Sequence, residues 1–160
     1  PNLFENTLRI PLIISDPSSA KAGLSSDSLI ELIDIYPTIL ELSDLEIPDH
    51  VVGRSFAKLI NRPSMPFRKS ALSQSHARVT QPNLKKENIF GYSVRTEQFR
   101  YTEWAKGTHG TELYDHTNDS EENTNLSSHD AYQDVEVGLR RLLRERIAES
   151  EMSPNQITER

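Results

Sequence analysis

The chain has 160 residues, of which 35% are hydrophobic and 26% charged, and its formal net charge is -6. It contains no cysteine, which excludes disulfides and zinc sites built on thiolates. The acidic balance, without any lysine- or arginine-rich run, argues against nucleic-acid binding. No apolar run approaches the ~20 residues of a membrane-spanning helix.

The first predicted element is a strand at Ile10–Ile14. This run is continuously apolar, rich in β-branched residues and bounded by Asp16-Pro17, which is typical of a strand buried on both faces of a parallel sheet. Such a strand needs neighbours, and the chain offers none before it. We therefore expect a longer parent protein that supplies the rest of the sheet upstream of Pro1.

Two helices follow a Ser/Ala/Gly-rich loop. The spacing of apolar residues predicts a helix from about Ile35 to Ser43, with Asp34 as its N-cap and Pro37 in its first turn, where a missing N–H costs little. A shorter helix is predicted at Ser55–Ile60, before the proline-broken link "NRPSMPF".

The second half of the chain predicts a small sheet and a final helix. Strands are expected at Ser70–Ser75, Ile89–Thr96, Phe99–Trp104 and Glu112–Tyr114. Residues 134–149 form an amphipathic pattern whose apolar side carries Val135, Leu139, Leu142, Leu143 and Ile147. The predicted fold is α/β: the last strand and helix of a large sheet in residues 1–62, then a small antiparallel α+β subdomain in 63–150, then a frayed tail at 151–160.

The stretch "YSVRTEQFRYTEW" predicts a hairpin with its turn at Glu97-Gln98. That turn places Arg95 directly opposite Arg100, where like charges repel. Either the two arginines share an anion, such as a substrate carboxylate or sulfate, or they pair with acidic neighbours. Glu103, Glu112 and Asp115 are the nearby candidates, and a longer turn that separates the arginines is a further alternative.

The loop after the hairpin, "WAKGTHGTE", is a candidate for substrate binding. Gly107 and Gly110 give it flexibility. Trp104 beside a cation, Lys106 or His109, suits a sugar ring that carries an acidic group. The alternative is that Trp104 simply packs against the terminal helix.

Two further pairs of polar residues are candidates. Gln74 and His76 close the strand "ALSQSH" and are predicted as polar contacts to a substrate, the alternative being solvated residues at a strand end. Glu5 and Arg9 lie four apart, a spacing that forms an ion pair within one helical turn.

Three blocks of the sequence, in a fixed order, resemble the sulfatase family of the alkaline-phosphatase-like superfamily. They are "LFENTLRIPLII", "LIDIYPTILELSDLEIPDHVVGRSF" and "ALSQ…FGYSVRTEQFRYTEW…TELYDHTNDSEENTNL", which together span Leu3 to Leu126. The third block looks most like iduronate-2-sulfatase and its bacterial relatives. Departures are mild: Ser43-Asp44 replaces the usual small residue and glycine, His116 stands where leucine is common, and Ser120 where proline is common.

The resemblance implies chemistry that this chain does not contain. Family sulfatases use a formylglycine made in the segment "C/S-x-P-S-R" and a divalent cation, usually calcium. Neither that segment nor the family's stretches that hold the cation are present in this sequence. The family's sulfate-contacting lysine falls just before Pro1, so Glu5 and Arg9 are expected to brace the loop that carries it. The resemblance thus places no catalytic residue and no metal ligand in this chain.

From this resemblance we expect the C-terminal part of an enzyme that hydrolyses sulfate esters of a carbohydrate, such as a glycan containing sulfated uronic acid. Its partners would be that substrate and the missing N-terminal catalytic portion, and the parent would be periplasmic or secreted. The chain alone should be inactive. Two alternatives stay open: a non-catalytic carbohydrate- or protein-binding module of the same fold, and a hydrolase of phosphate or phosphonate esters.

Overall fold

A computed structural model describes residues 2–17, 19, 22–79 and 87–151. These residues form two compact units. The first contains the described residues of 1–10 and 72–147, and the second contains those of 11–71 together with 148–151.

The first unit is built on a four-stranded sheet with strands in the order β1-β2-β3-β4. The strands are β1 (Ala71–Val79), β2 (Glu87–Arg95), β3 (Phe99–Trp104) and β4 (Thr111–Asp115). The β2–β3 and β3–β4 pairs are antiparallel, as short connections require. All four predicted strands are confirmed, and β1 runs four residues beyond the predicted end.

One face of the sheet, here called the α4 face, packs against the terminal helix α4 (Gln133–Glu151). Val94, Tyr101 and Leu113 of the sheet form the core with Leu139 and Leu143 of the helix. The remaining predicted apolar residues of the helix pack around this core. The amphipathic pattern of the sequence is therefore confirmed.

A buried carboxylate also ties α4 to the sheet. Glu103 accepts a hydrogen bond from the Tyr101 hydroxyl at 3.0 Å and forms ion pairs with Arg144 and, at 3.4 Å, with Arg140. Both arginines lie outside the apolar stripe of the helix, yet their side chains reach back to Glu103.

The second unit contains a 3₁₀ turn at Leu32–Asp34, then α2 (Ile35–Leu42) and α3 (Ala57–Asn61). Asp34 precedes α2 as predicted, but its side chain does not cap that helix. The buried carboxylate instead binds the guanidinium of Arg68 and accepts hydrogen bonds from the backbone N–H groups of Glu31 at 3.0 Å and Arg54 at 2.8 Å. It therefore joins three separate segments of the unit.

The predicted strand at Ile10–Ile14 does not form among the described residues. Its apolar side chains are exposed, Ile13 to 91%. A strand requires a neighbour whose backbone completes its hydrogen bonds, and the described part of the chain supplies none here. Helix α2 likewise exposes apolar side chains, Tyr36 and Ile39.

The limits of the two units differ from the predicted division at residue 62. Residues 2–10 belong with the sheet, and residues 63–71 belong with the helices because Arg68 binds Asp34. Helix α4 runs to Glu151, and the rest of the predicted tail lies outside the described residues. Within the described ranges, no helix has both the length and the apolar character needed to cross a bilayer.

Candidate functional site

The face of the sheet opposite α4 carries the two hairpin arginines. Arg95 lies directly opposite Arg100 in the β2–β3 register, so the prediction from the turn is confirmed. Side chains alternate between the two faces along each strand. Ser93 on β2, and Thr102 and Trp104 on β3, therefore lie on the same face as the two arginines. A four-residue helix, α1 (Glu5–Leu8), contacts this face, which we call the α1 face.

The repulsion between the arginines is relieved by two carboxylates that lie far away in sequence. Arg100 forms ion pairs with Glu5 and, at 2.6 Å from Nε to Oε1, with Glu122. Arg95 Nε lies 3.2 Å from Glu5 Oε2, the oxygen that also binds Arg100. Of the explanations that the sequence left open, the structure shows pairing with acidic neighbours, and the register excludes a longer turn that separates the arginines.

The acidic neighbours are nevertheless different from those the sequence suggested. Glu103 lies on the α4 face. Glu112 accepts a hydrogen bond from Trp104 Nε1 at 3.0 Å, and Asp115 accepts bonds from the residues of the following turn. The suggestion failed because proximity in sequence says little about which carboxylate reaches a given face.

His116 completes the group. Its Nε2 lies 2.9 Å from Glu122 Oε1 and its Nδ1 lies 3.0 Å from Arg95 Nη2. A guanidinium can only donate, so Nδ1 accepts and Nε2 carries the proton that is donated to Glu122. We call Glu5, Arg95, Arg100, His116 and Glu122 the α1 cluster.

The α1 cluster does not fit a metal ion. Glu5, His116 and Glu122 bring potential ligand atoms within 4.8 Å of one another. However, their oxygens already bind two arginines, and the two positive and two negative charges balance. A cation placed there would face both guanidinium groups at short range. The calcium that the family resemblance implies therefore does not fit the α1 cluster.

Burial alone would raise the pKa of Glu5, but the charges of Arg95 and Arg100 outweigh it and hold that pKa below the ordinary value of 4.5. A carboxyl group with a lowered pKa stabilises the folded state above its unfolded pKa, and this stabilisation is lost as the pH falls through the folded pKa. We expect the free energy of unfolding to fall below about pH 4.5, and to fall less steeply in Glu5→Gln. Urea unfolding at several pH values measures this, with the exposed Glu145→Gln as the control. The expectation would be contradicted if the free energy of unfolding fell equally steeply with pH in the unaltered chain, in Glu5→Gln and in Glu145→Gln.

Trp104 lies at the other end of the α1 face, beside the loop Ala105–Gly110. Its ring covers Gly91, where an added Cβ would lie 2.6 Å from the ring, and its Nε1 is held by Glu112. Trp104 therefore does not pack against α4, the alternative considered from the sequence. Its orientation is fixed by the sheet.

The backbone of this loop is unusual for its residues. Ala105 and Lys106 both have positive φ angles, 48° and 58°, a conformation that costs about 1 kcal/mol or more outside glycine. Gly107 and Gly110 adopt positive φ as well. Lys106 and His109 are exposed, so the loop presents a cation and an imidazole next to an oriented indole.

The other candidates lie apart from this loop. Gln74 and His76 are exposed on β1, an edge strand separated from β3 by β2, and the His76 ring lies 6.3 Å from that of Phe90. Glu5 lies in a helical turn, the condition that its predicted ion pair with Arg9 required. Among the described contacts, its carboxylate binds Arg95 and Arg100, and no ion pair joins it to the exposed Arg9.

A shallow depression of about 440 Å³ borders the α1 cluster and is lined by Glu97, Gln98, His116 and Thr117. Binding pockets combine apolar walls with a few convergent polar groups, and this lining has no apolar wall. We assign no ligand to it.

Comparison with known proteins supports the resemblance. The family model described as N-sulphoglucosamine sulphohydrolase, C-terminal, matches residues 2–149. The N-acetylglucosamine-6-O-sulfatase of Bacteroides thetaiotaomicron is 27% identical over 146 residues, which cover 89% of this chain and 25% of that protein. The chain thus spans about a quarter of the length of this relative.

Solved structures agree. A 2-O GAG sulfatase is 26% identical with a TM-score of 0.61, over 74% of this chain and 24% of that chain. The phosphonate monoester hydrolase of Agrobacterium radiobacter is 26% identical with a TM-score of 0.55, over 72% of this chain and 24% of that chain. From the family match over residues 2–149 and the shared fold, the chain belongs to the C-terminal family of N-sulphoglucosamine sulphohydrolase, within the sulfatases.

Proposed function

We propose that the parent of this chain hydrolyses sulfate esters and that this chain forms its C-terminal part. The family match over residues 2–149 carries the proposal. Sulfate-ester hydrolysis needs an activated nucleophile and positive charge that stabilises the developing oxyanion. In the parent, a formylglycine and a calcium ion outside this chain would supply them. The chain alone is therefore inactive.

The proposed substrate is a sulfated carbohydrate. Two similar proteins are named for such substrates, an N-acetylglucosamine-6-O-sulfatase and a 2-O GAG sulfatase. A glycan that contains sulfated uronic acid, and the finer likeness to iduronate-2-sulfatase, stay predictions from the sequence. The same resemblance leads us to propose a periplasmic or secreted parent.

The loop Trp104–Gly110 is the part of this chain best suited to contact such a substrate. An indole held in one orientation offers a face for a sugar ring, and Lys106 offers a cation for a sulfate or carboxylate. Two successive non-glycine residues in a strained conformation are more common at ligand sites than elsewhere. Gln74 and His76, on the distant edge strand, would contact only a longer glycan.

Removing the charge of Lys106 tests this contact. In the parent enzyme, we expect Lys106→Met to raise KM for a sulfated disaccharide about tenfold, as a lost charge-assisted hydrogen bond predicts. KM for a simple arylsulfate, which lacks the sugar, should stay unchanged. Lys58→Met, which removes an exposed lysine of α3, is the control. If Lys106→Met affects both substrates equally, or neither, the loop does not bind the sugar.

We further propose that the rest of the parent covers the exposed apolar side chains of Ile10–Ile14 and α2. Within the second unit, Leu12, Ile13, Tyr36 and Ile39 are all exposed, and exposed apolar surface of this kind usually marks an interface. An edge of a larger sheet would also complete the backbone hydrogen bonds of the residue 10–14 segment.

Two alternatives remain. The likeness to a phosphonate monoester hydrolase supports a parent enzyme of the same fold that hydrolyses phosphate or phosphonate esters instead. A non-catalytic binding module would fold alone and unfold in one sharp thermal transition, whereas part of an enzyme would aggregate or unfold with weak cooperativity.

The proposal is tested by assaying the parent with arylsulfate and with an aryl phosphonate monoester in the presence of calcium. We expect sulfate release to exceed phosphonate hydrolysis. The opposite preference would support the alternative ester, and a parent without either activity would support the module.

A further inference from the structure

Helix α1 is held on the sheet by contacts from residues that lie about a hundred positions later. Leu3, just before it, is only 2% exposed, and the Phe4 ring meets the Tyr114 ring edge-on at 5.8 Å between centroids. The Glu5 backbone N–H donates to Glu122 Oε2 at 2.6 Å, and the Glu5 carboxylate binds the hairpin arginines. A helix of four residues is not stable alone, so these contacts determine where it lies.

Glu122 is the centre of this arrangement. One of its oxygens accepts from the first N–H of α1, which otherwise has no partner within the helix. The other binds Arg100 Nε at 2.6 Å and His116 Nε2 at 2.9 Å. Glu122 makes these contacts although only 7% of its surface is exposed and its backbone φ is 58°. A non-glycine residue keeps that conformation only when its surroundings enforce it.

A buried, balanced set of charges is a poor way to gain stability, because apolar residues of similar size usually do as well or better. Its particular property is fixed geometry: each oxygen accepts only from donors placed at hydrogen-bond distance. The α1 cluster therefore specifies the position of the backbone at residues 3–9 more sharply than apolar packing would.

We propose that Arg100 and Glu122 are positioning residues of the parent enzyme, acting through Glu5. The inference rests on the proposed function and on the sulfate-contacting lysine that the family resemblance implies just before Pro1. The cluster fixes the backbone of residues 3–9, which would follow that lysine in the parent. Because catalysis is sensitive to displacements of about 1 Å, loosening α1 lowers kcat while substrate binding by other parts of the protein is kept.

The test uses the full-length parent with two variants. Glu122→Gln removes one charge of the cluster at nearly constant size, and Arg100→Lys keeps the charge but loses the three guanidinium nitrogens that bind Glu5, Glu122 and Ser93. We expect kcat to fall about 10- to 100-fold with KM changed less than about threefold. Hydrogen exchange gives an independent readout: the amides of Leu8 and Arg9, which bond to Phe4 and Glu5, lose protection, while those of β3 keep it.

Glu103→Gln is the matched control, since it breaks a buried ionic group on the opposite face of the same sheet. It should lower the unfolding temperature without changing kcat or the protection of α1. If Glu103→Gln lowers kcat as much as Glu122→Gln, or if α1 loosens with kcat unchanged, the positioning role is overturned. A wild-type parent that releases no sulfate shows instead that the proposed function is wrong, and the positioning role then has no reaction to serve.

Discussion

Replacing Arg100 with methionine is expected to destabilise the chain by about 3–5 kcal/mol, because it leaves two carboxylates without their shared partner in a buried site. Arg100 is 2% exposed, and its guanidinium binds Glu5, Glu122 and Ser93. Glu5 keeps Arg95 and Glu122 keeps His116 after the change, which places the expected loss near the lower end of the range.

Urea unfolding followed by fluorescence measures this loss, since Trp104 is the single tryptophan of the chain and lies on the same sheet face as Arg100. Arg141→Met is the matched control: the same substitution at an exposed arginine, 3.9 Å from Glu145, should cost less than about 0.5 kcal/mol. Similar losses for both variants would contradict the structural role given to Arg100.

The second large effect is expected from Gly53→Ala in the helical unit. A Cβ at this position would lie 2.7 Å from the carbonyl carbon of Ile33 and still closer to its oxygen. Because the obstacle is backbone, the segments must separate, which pulls Arg54 N–H from the buried Asp34. Overpacking together with a lost buried hydrogen bond is expected to cost about 3 kcal/mol or more.

Gly138→Ala is the control for this change. Nothing lies within 4 Å of the added methyl group at that helical position, so the variant should be stabilised by about 0.5–1 kcal/mol through helix propensity alone. Thermal unfolding monitored by circular dichroism compares the two. A tolerated Gly53→Ala would show that the Ile33–Gly53 approach is looser than described.

Local features of the first unit could be predicted from the sequence because short-range rules determine them. The turn at Glu97-Gln98 fixes the register that places Arg95 opposite Arg100, and the apolar spacing of α4 identifies the residues that enter the core. The family blocks likewise lie in a fixed order along the chain, so the sulfatase resemblance was visible without coordinates.

The α1 cluster could not be predicted in the same way. Arg100 meets Glu5 across 95 residues and Glu122 across 22, and no periodicity links such positions. His116 gave a weak signal, because it stands where the family pattern has leucine, but its meaning needs the position of Arg95. The residue 10–14 segment shows the converse limit: residue type favoured a strand, but strand formation depends on a partner.

Sulfate release by the full-length parent and by this chain, measured side by side with an arylsulfate and calcium, tests most directly whether the catalytic groups lie outside these residues. Under the proposed function we predict turnover by the parent and none by the 160 residues, even at high protein concentration. Measurable turnover by the chain alone would show that these residues carry a catalytic site of their own.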